Sequence, residues 1–220
     1  MVAGSGTRRG APEGRRARLI LVRHGESVGN RLRQFSRDNH IDLTEQGVEQ
    51  ARDAGRVIGA RFSPGRIVAS PYHRTQRTAR LIAQAMGFPG TIETEPRLHE
   101  REIGELAGAP YSAMRAHPDY VAERFWEWRP PGGESLADVA ARAGPVIDAL
   151  LAAGEEAVVV SHGGVMLALR AHLEGTWEHG RVSGNCEILV VAADGTGSVR
   201  VRSLDEHDDA GGATDGEGTG

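Results

Sequence analysis

Apolar residues are distributed along the chain in two patterns. Unbroken runs such as Leu19-Ile20-Leu21-Val22, Ile67-Val68-Ala69 and Ala157-Val158-Val159-Val160 read as short strands buried on both faces. Between them the apolar positions recur at helical spacing. Val48, Ala51, Gly55, Ile58 and Phe62 form one such face, and Leu136, Val139, Ala140, Ala143, Ile147 and Leu150 form another. Helices are also expected from Pro71 to Met86, stopped by Gly87, and from Val165 to Leu173. Thr44 reads as an N-cap with Leu43 and Val48 as a hydrophobic staple, and Ser135 with Asp138 as a capping box. A strand around Thr91 to Thr94 follows the second helix, and two late strands, Asn185 to Ala192 and Ser198 to Leu204, flank Asp194-Gly195-Thr196-Gly197. The alternation of strand and helix predicts an α/β domain with a mostly parallel sheet.

Two of the strands end in the same way. Leu19 to Val22 runs into Arg23-His24-Gly25-Glu26-Ser27, and Ala157 to Val160 runs into Ser161-His162-Gly163-Gly164. A lone strand-end histidine can be a metal ligand, a general base, a nucleophile or simply a core residue bonded to a carbonyl. Two of them form a constellation, because ligands of open α/β sheets collect outside the carboxyl ends of the strands. Ser70-Pro71-Tyr72-His73-Arg74-Thr75 adds Arg74 to the first turn of the helix after a third strand, with Pro71 expected at its first position.

These residues resemble the histidine phosphatase superfamily, the phosphoglycerate mutase-like proteins. Its signatures are an Arg-His-Gly after the first strand, an Arg-Thr in the first turn after a Ser-Pro, and a late His-Gly. A fourth match is Leu98-His99-Glu100 with Gly104, similar to the family's Leu-x-Glu followed by a glycine. The motifs keep the family's order over roughly Leu19 to Leu204. The resemblance implies a three-layer αβα sandwich with a mostly parallel sheet and a small helical cap insertion. It also implies a phosphohistidine intermediate on His24, with Arg23, Arg74 and His162 around the phosphate and Glu100 as general acid and base. Asn30 stands where the family places a polar contact to the transferred phosphate, and Ser36, Arg37, Arg101 and Gly163 are further substrate-binding candidates. His99 matches no signature position and reads as structural.

Phosphoryl transfer needs such residues. A phosphate monoester carries about two negative charges near neutral pH, so its oxygens must be neutralised before a nucleophile reaches phosphorus. Arginine pairs its planar fork with two oxygens at once. His24 must be neutral at the attacking nitrogen, its other nitrogen fixed by a backbone acceptor. His162 is a third donor if protonated, and Glu100 must hold a proton for the leaving oxygen. No metal or other cofactor enters this scheme.

Composition narrows the picture. At 220 residues, 39% hydrophobic and 25% charged, the sequence is that of an ordinary globular domain. Three segments are expected: a disordered basic leader at 1–17, a catalytic domain at 18–204, and a disordered tail at 205–220 that holds six acids among glycines. All 26 basic residues are arginine, which removes a Walker lysine or a lysine Schiff base. The formal net charge of -4 argues against a general nucleic-acid binder. No apolar run approaches the ~20 residues of a membrane span, and the first eighteen residues lack a signal-peptide core, so a cytoplasmic protein with no membrane partner is expected. Lone Cys186 reads as a structural thiol on a strand.

Two stretches bear on substrate choice. Arg31, Arg33 and Arg37 could recruit an anion or form a solvated face. From Ala109 to Trp128 the pattern turns helical and aromatic, with Tyr111, Tyr120, Phe125, Trp126 and Trp128 lining a pocket or packing a cap.

The leading reading is a phosphatase acting on a small phosphorylated metabolite, as monomer or homodimer. A phosphoglycerate mutase is the alternative: Gly163-Gly164 stands where mutases have Gly-Asn and Ser36-Arg37 replaces their Thr-Gly, yet Arg101 and Ile103-Gly104 resemble them. A non-catalytic phosphate-binding relative and a metallohydrolase using His24, His162, His99 and Glu100 complete the alternatives. For the last, no HExxH pair is present and central arginines would repel a cation.

Overall fold

The computed structural model describes residues 18–178, 180–193 and 199–204. The expected leader, the tail and the turn at 194–197 lie outside these residues. In chain order the elements are β1 (Arg18–Arg23), α1 (Val28–Arg31), α2 (Glu45–Arg61), β2 (Arg66–Ala69), α3 (His73–Met86), β3 (Ile92–Thr94), α4 (Ser112–Arg115), α5 (Leu136–Ala152), β4 (Glu156–Ser161), α6 (Gly163–Glu174), β5 (Ile188–Ala193) and β6 (Val199–Ser203). The strands form one sheet in the order β3-β2-β4-β1-β5-β6. β3, β2, β4 and β1 pair in parallel, whereas β5 runs antiparallel to β1, and β6 to β5. This is a mixed, mostly parallel α/β sheet, as the resemblance implies.

Alternate residues of the central strands feed two cores. Leu19, Leu21, Ala157 and Val159 join α5 and α6 on one face through Ile147, Met166 and Leu169. Ile20, Val22, Val158 and Val160 join α2 and α3 on the other through Ile58, Ala79 and Ile82. Helices cover both faces, which is why these strands are apolar runs with no polar alternation.

Local chemistry sets most of the boundaries. Thr44 caps α2 by accepting from the Gly47 N–H, and the Ser135–Asp138 capping box opens α5 as the spacing predicts. α3 ends in Gly87 at φ 69°, a left-handed conformation suited to glycine. Its start differs from expectation: Pro71 lies ahead of the helix, Tyr72 is the N-cap, and the first helical residue is His73. Arg74 still falls in the first turn.

Two further corrections follow from tertiary contacts. Cys186 sits in a tight turn at φ 54°, ahead of β5, where its N–H donates to the Arg23 and His24 carbonyls. Burial pushes its thiol up to about 12, which keeps it protonated and inert. The 109–128 insertion contains only the single turn α4 and a 3₁₀ turn at Ala122–Arg124. Its aromatic residues pack across loops, Tyr120 on Trp128 within the insertion, and Tyr111 and Trp126 on Phe35 and Trp177 outside it. The helical spacing there was serving loop packing.

Among the described residues no helix is long and apolar enough to cross a membrane.

The loop after β1 lies flat on the start of α2. A Cβ at Gly25 would stand 2.3 Å from the Gly47 carbonyl oxygen, and a Cβ at Gly47 2.1 Å from that of Glu26. In an open helix Gly→Ala gains about 1 kcal/mol. Here Gly47→Ala is expected to lose about 1–3 kcal/mol through overpacking, read as a lower urea midpoint at unchanged m-value.

Candidate active site

The parallel pairing of β1 with β4 sets Arg23 opposite Ser161, so the next residues of the two strands, His24 and His162, emerge side by side. Their ring centroids are 5.3 Å apart at an interplanar angle of 68°. β2 pairs with β4 on its other edge and delivers Ser70 and, from the first turn of α3, Arg74 to the same end of the sheet. The five expected catalytic residues therefore come from four separate strand ends or loops.

Hydrogen bonds define the state of His24. Its Nδ1 lies 2.7 Å from the Gly25 carbonyl, which can only accept, so Nδ1 carries the proton. Nε2 is then a bare lone pair, and it accepts from Arg74 Nε at 3.2 Å. Burial, then Arg74 and Arg23, hold His24 well below the ordinary imidazole range. The main chain around it is pinned: the His24 N–H donates to the Ser161 carbonyl, and its own carbonyl accepts from Asn185 Nδ2 at 3.1 Å. His24 is thus a neutral, oriented nucleophile or base.

Around this ring stand polar atoms with nothing to bond. Arg23 Nε, Arg74 Nη1 and His162 Nδ1 are buried and without a hydrogen-bond partner. Leaving such atoms unsatisfied costs on the order of 1–3 kcal/mol each, so their grouping here implies a polar occupant. Two of the three belong to guanidinium groups, which suits an anion. The rest of Arg23 is anchored, with Nη1 donating to the Ser183 carbonyl at 2.5 Å. Tyr72 lies 4.9 Å from the Arg74 guanidinium and meets the His162 ring edge-on at 4.9 Å. Burial, followed by Arg74, His24 and Arg23, lowers His162 well below the ordinary range, so it too is neutral.

Glu100 faces the start of α6. Its carboxylate accepts from the Arg101 N–H at 2.9 Å and from the Gly164 N–H at 3.4 Å. A Cβ at position 164 would stand 2.7 Å from Oε1, so the glycine makes room for the acid. Gly163 opens α6, with Val182 and the Arg23 guanidinium against its α-carbon.

The other candidates are placed less directly. Asn30 Oδ1 accepts from the Ser27 N–H and from Asn185 Nδ2, while its own Nδ2 donates to Tyr111 Oη at 3.1 Å. Ser36 approaches Gly29, at the start of the α1 turn, and exposed Arg37 lies over Gly108. Arg101 turns away: Nε donates to the Glu134 carbonyl and Nη2 to the Trp128 carbonyl, both at 2.7 Å, and the guanidinium packs on the Trp128 ring. His99 donates its Nδ1–H to the Glu100 carbonyl and lies beside Tyr72. Among the described residues no cluster of three or more His, Cys, Asp or Glu is arranged to hold a metal ion.

Sequence reasoning missed Ser70 and Asn185 as site residues. Ser70 Oγ lies 2.7 Å from His162 Nε2. Asn185 joins the His24 carbonyl to Asn30 across a sequence separation of more than 150 residues, and no periodicity announces such a link. The Ser-Pro ahead of Arg74 was the one available signal for Ser70.

The neutral burial of both histidines makes stability depend on pH. In the unfolded chain they protonate near 6.5, while in the fold they resist. Below about pH 6.5 the unfolded state therefore binds more protons, and stability falls by up to about 1.4 kcal/mol per pH unit for each histidine until the folded-state values are reached. Thermal midpoints measured from pH 7.5 to 5 should drop accordingly, and His162→Gln should flatten the drop.

The family model for the histidine phosphatase superfamily (branch 1) matches residues 19–205. A 2,3-bisphosphoglycerate-dependent phosphoglycerate mutase of Methylobacterium radiotolerans is 39% identical over 171 residues, 73% of this chain and 80% of its own length. One from Azorhizobium caulinodans is 37% identical over 168 residues, 71% of this chain and 81% of its own. Among solved structures, a mycobacterial glucosyl-3-phosphoglycerate phosphatase in complex with VO3 aligns with a TM-score of 0.74 at 29% identity, covering 86% of this chain and 97% of that one. With two strand-end histidines, a buried and a half-buried arginine beside them, and a family match that spans the described fold, the chain belongs to the histidine phosphatase superfamily.

Proposed function

We propose that the protein hydrolyses the phosphomonoester of a small metabolite through a phosphohistidine on His24, without a metal. The observation that carries this reading is the set of unpartnered buried atoms, Arg23 Nε, Arg74 Nη1 and His162 Nδ1, gathered around a histidine whose Nε2 is bare.

The steps follow from the geometry. An entering phosphate dianion takes the two guanidiniums as partners, and Arg74 Nε leaves His24 Nε2 for a phosphate oxygen. The freed lone pair attacks phosphorus in line with the ester oxygen. As the P–O bond breaks, Glu100 gives its proton to the leaving alcohol. The imidazolium-like phosphohistidine is steadied by the Nδ1–H bond to the Gly25 carbonyl. Water then attacks phosphorus while the Glu100 carboxylate takes its proton, the N–P bond breaks, and inorganic phosphate leaves. His24 and protonated Glu100 are restored.

Two observations favour water over a second substrate as the acceptor. Arg101, the nearest further cation in sequence to Glu100, has its guanidinium committed to the Glu134 and Trp128 carbonyls. The carboxylate of Glu100 fills the space beside Gly164, where the mutase pattern would place an asparagine side chain. The mutase reading has its own support in the curated relatives, which are named as mutases. We further propose that Asn30 and the Gly163 N–H contact the transferred phosphate, and that Ser36 and Arg37 approach the leaving group from the loop above.

In excess chelator the protein should release phosphate from an aryl phosphate at an undiminished rate, and His24→Ala should reduce release to background. Quench of the unmodified protein in alkaline detergent with ³²P-labelled substrate should trap a phosphoprotein that is stable to base and loses its label in acid; activity lost to chelator, or a full rate in His24→Ala, would sink the scheme. Isomerisation of 3-phosphoglycerate primed by 2,3-bisphosphoglycerate, faster than phosphate release, would select the mutase instead. Gly164→Asn displaces Glu100 and should lower kcat for hydrolysis about 10²-fold, approaching the loss in Glu100→Gln, with little change in the urea midpoint.

A further inference from the structure

His162 Nδ1 lies buried without a partner among the atoms that would meet the phosphate, yet His162 is neutral, and a neutral imidazole donates from one nitrogen only. One of the two nitrogens faces Ser70. Ser70 Oγ lies 2.7 Å from His162 Nε2, both groups fully buried. The same oxygen accepts from the Tyr72 N–H at 3.5 Å. With a donor already on its oxygen, the Ser70 hydroxyl is free to turn its own proton toward Nε2.

We propose that Ser70 is a positioning residue that fixes His162 as the Nδ1–H tautomer and so aims a proton from that ring at the phosphate; the catalytic consequence rests on the phosphohistidine reading. The opposite tautomer would donate from Nε2 to Ser70 and turn the lone pair of Nδ1 toward the phosphate oxygens. Nδ1 is the atom that lies buried without a partner beside Arg74 and Arg23. Aimed as a lone pair, it would repel the anion that the arginines attract.

The serine is itself held from all sides. Its N–H donates to the Val160 carbonyl, and its carbonyl accepts from Thr75 Oγ1 at 3.0 Å and from Gln76 Nε2 at 2.8 Å. Tyr72, which borders both His162 and Arg74, completes the support. The Ser-Pro-Tyr segment thus serves two purposes: it starts the turn that carries Arg74, and it sets a proton on the histidine of a different strand.

The test is ¹⁵N NMR of histidine-labelled protein at pH 7.5, the His162 signals assigned by comparison with His162→Asn. The unmodified protein should show a protonated, pyrrole-type Nδ1 and a bare, pyridine-type Nε2. Ser70→Ala should abolish that preference and weaken competitive inhibition by inorganic phosphate about tenfold, the equivalent of one hydrogen bond. Ser70→Cys, with its weaker donor, should fall between. A proton on Nε2 in the unmodified protein overturns the proposal even if no variant folds. Unchanged His162 signals or unchanged phosphate inhibition in a folded Ser70→Ala overturns it as well. The NMR result needs no turnover, so a failure of the His24 scheme would show separately, as full activity in His24→Ala.

Discussion

The site depends on the register between β1 and β4. These are adjacent parallel strands drawn from opposite ends of the chain, and the pairing of Arg23 with Ser161 places one histidine beyond each strand at the same height. A one-residue slip would turn every side chain of a strand to its other face and send the apolar residues of both cores to the wrong helices. The two cores therefore enforce the register that chemistry requires. Leu19 and Val159 cannot exchange faces with Ile20 and Val160 without emptying one core and overfilling the other.

That register concentrates positive charge where there is little water to solvate it. Two guanidiniums and two imidazoles share one buried end of the sheet, and the molecule tolerates this by keeping both rings uncharged. The same neutrality gives each ring a bare nitrogen and a protonated one, and the fold settles which is which with single neighbours: the Gly25 carbonyl for His24, and a hydroxyl for His162. Net attraction for an anion then comes from the arginines, while direction comes from the histidines.

Much of this was legible in the sequence because it is local. A run of β-branched residues ending in Arg-His-Gly announces both a strand and its reactive end, and Thr44 or Ser135 announces the helix that follows through one side chain and the backbone three residues on. The start of α3 was misplaced because Pro71 suits both a first helical turn and the residues just before one. The insertion was overread as helical because aromatic residues at helical spacing can equally be gathered by loops, as Trp126 and Trp177 are from segments about fifty residues apart. Cys186 was assigned to the strand it precedes because its left-handed turn is imposed by the carbonyls of Arg23 and His24, which no local pattern around Cys186 encodes. Asn185 stayed hidden for the same reason, its partners lying more than 150 residues away.

The insertion at 109–128 is tied to the body in part by backbone acceptors. Arg101 grips the Trp128 and Glu134 carbonyls, and Arg142 joins the Glu134 side chain to the carbonyl of Arg97. Carbonyl oxygens are supplied by any residue, so this part of the attachment is indifferent to side chains, whereas Tyr111 and Trp126 attach through their own rings to Phe35 and Trp177. Tyr111 reaches further, since its hydroxyl accepts from Asn30, whose own oxygen accepts from the Asn185 amide that also holds the His24 carbonyl. A lineage could exchange the insertion's other side chains one by one, whereas a change at Tyr111 would be felt at the histidine of the first strand.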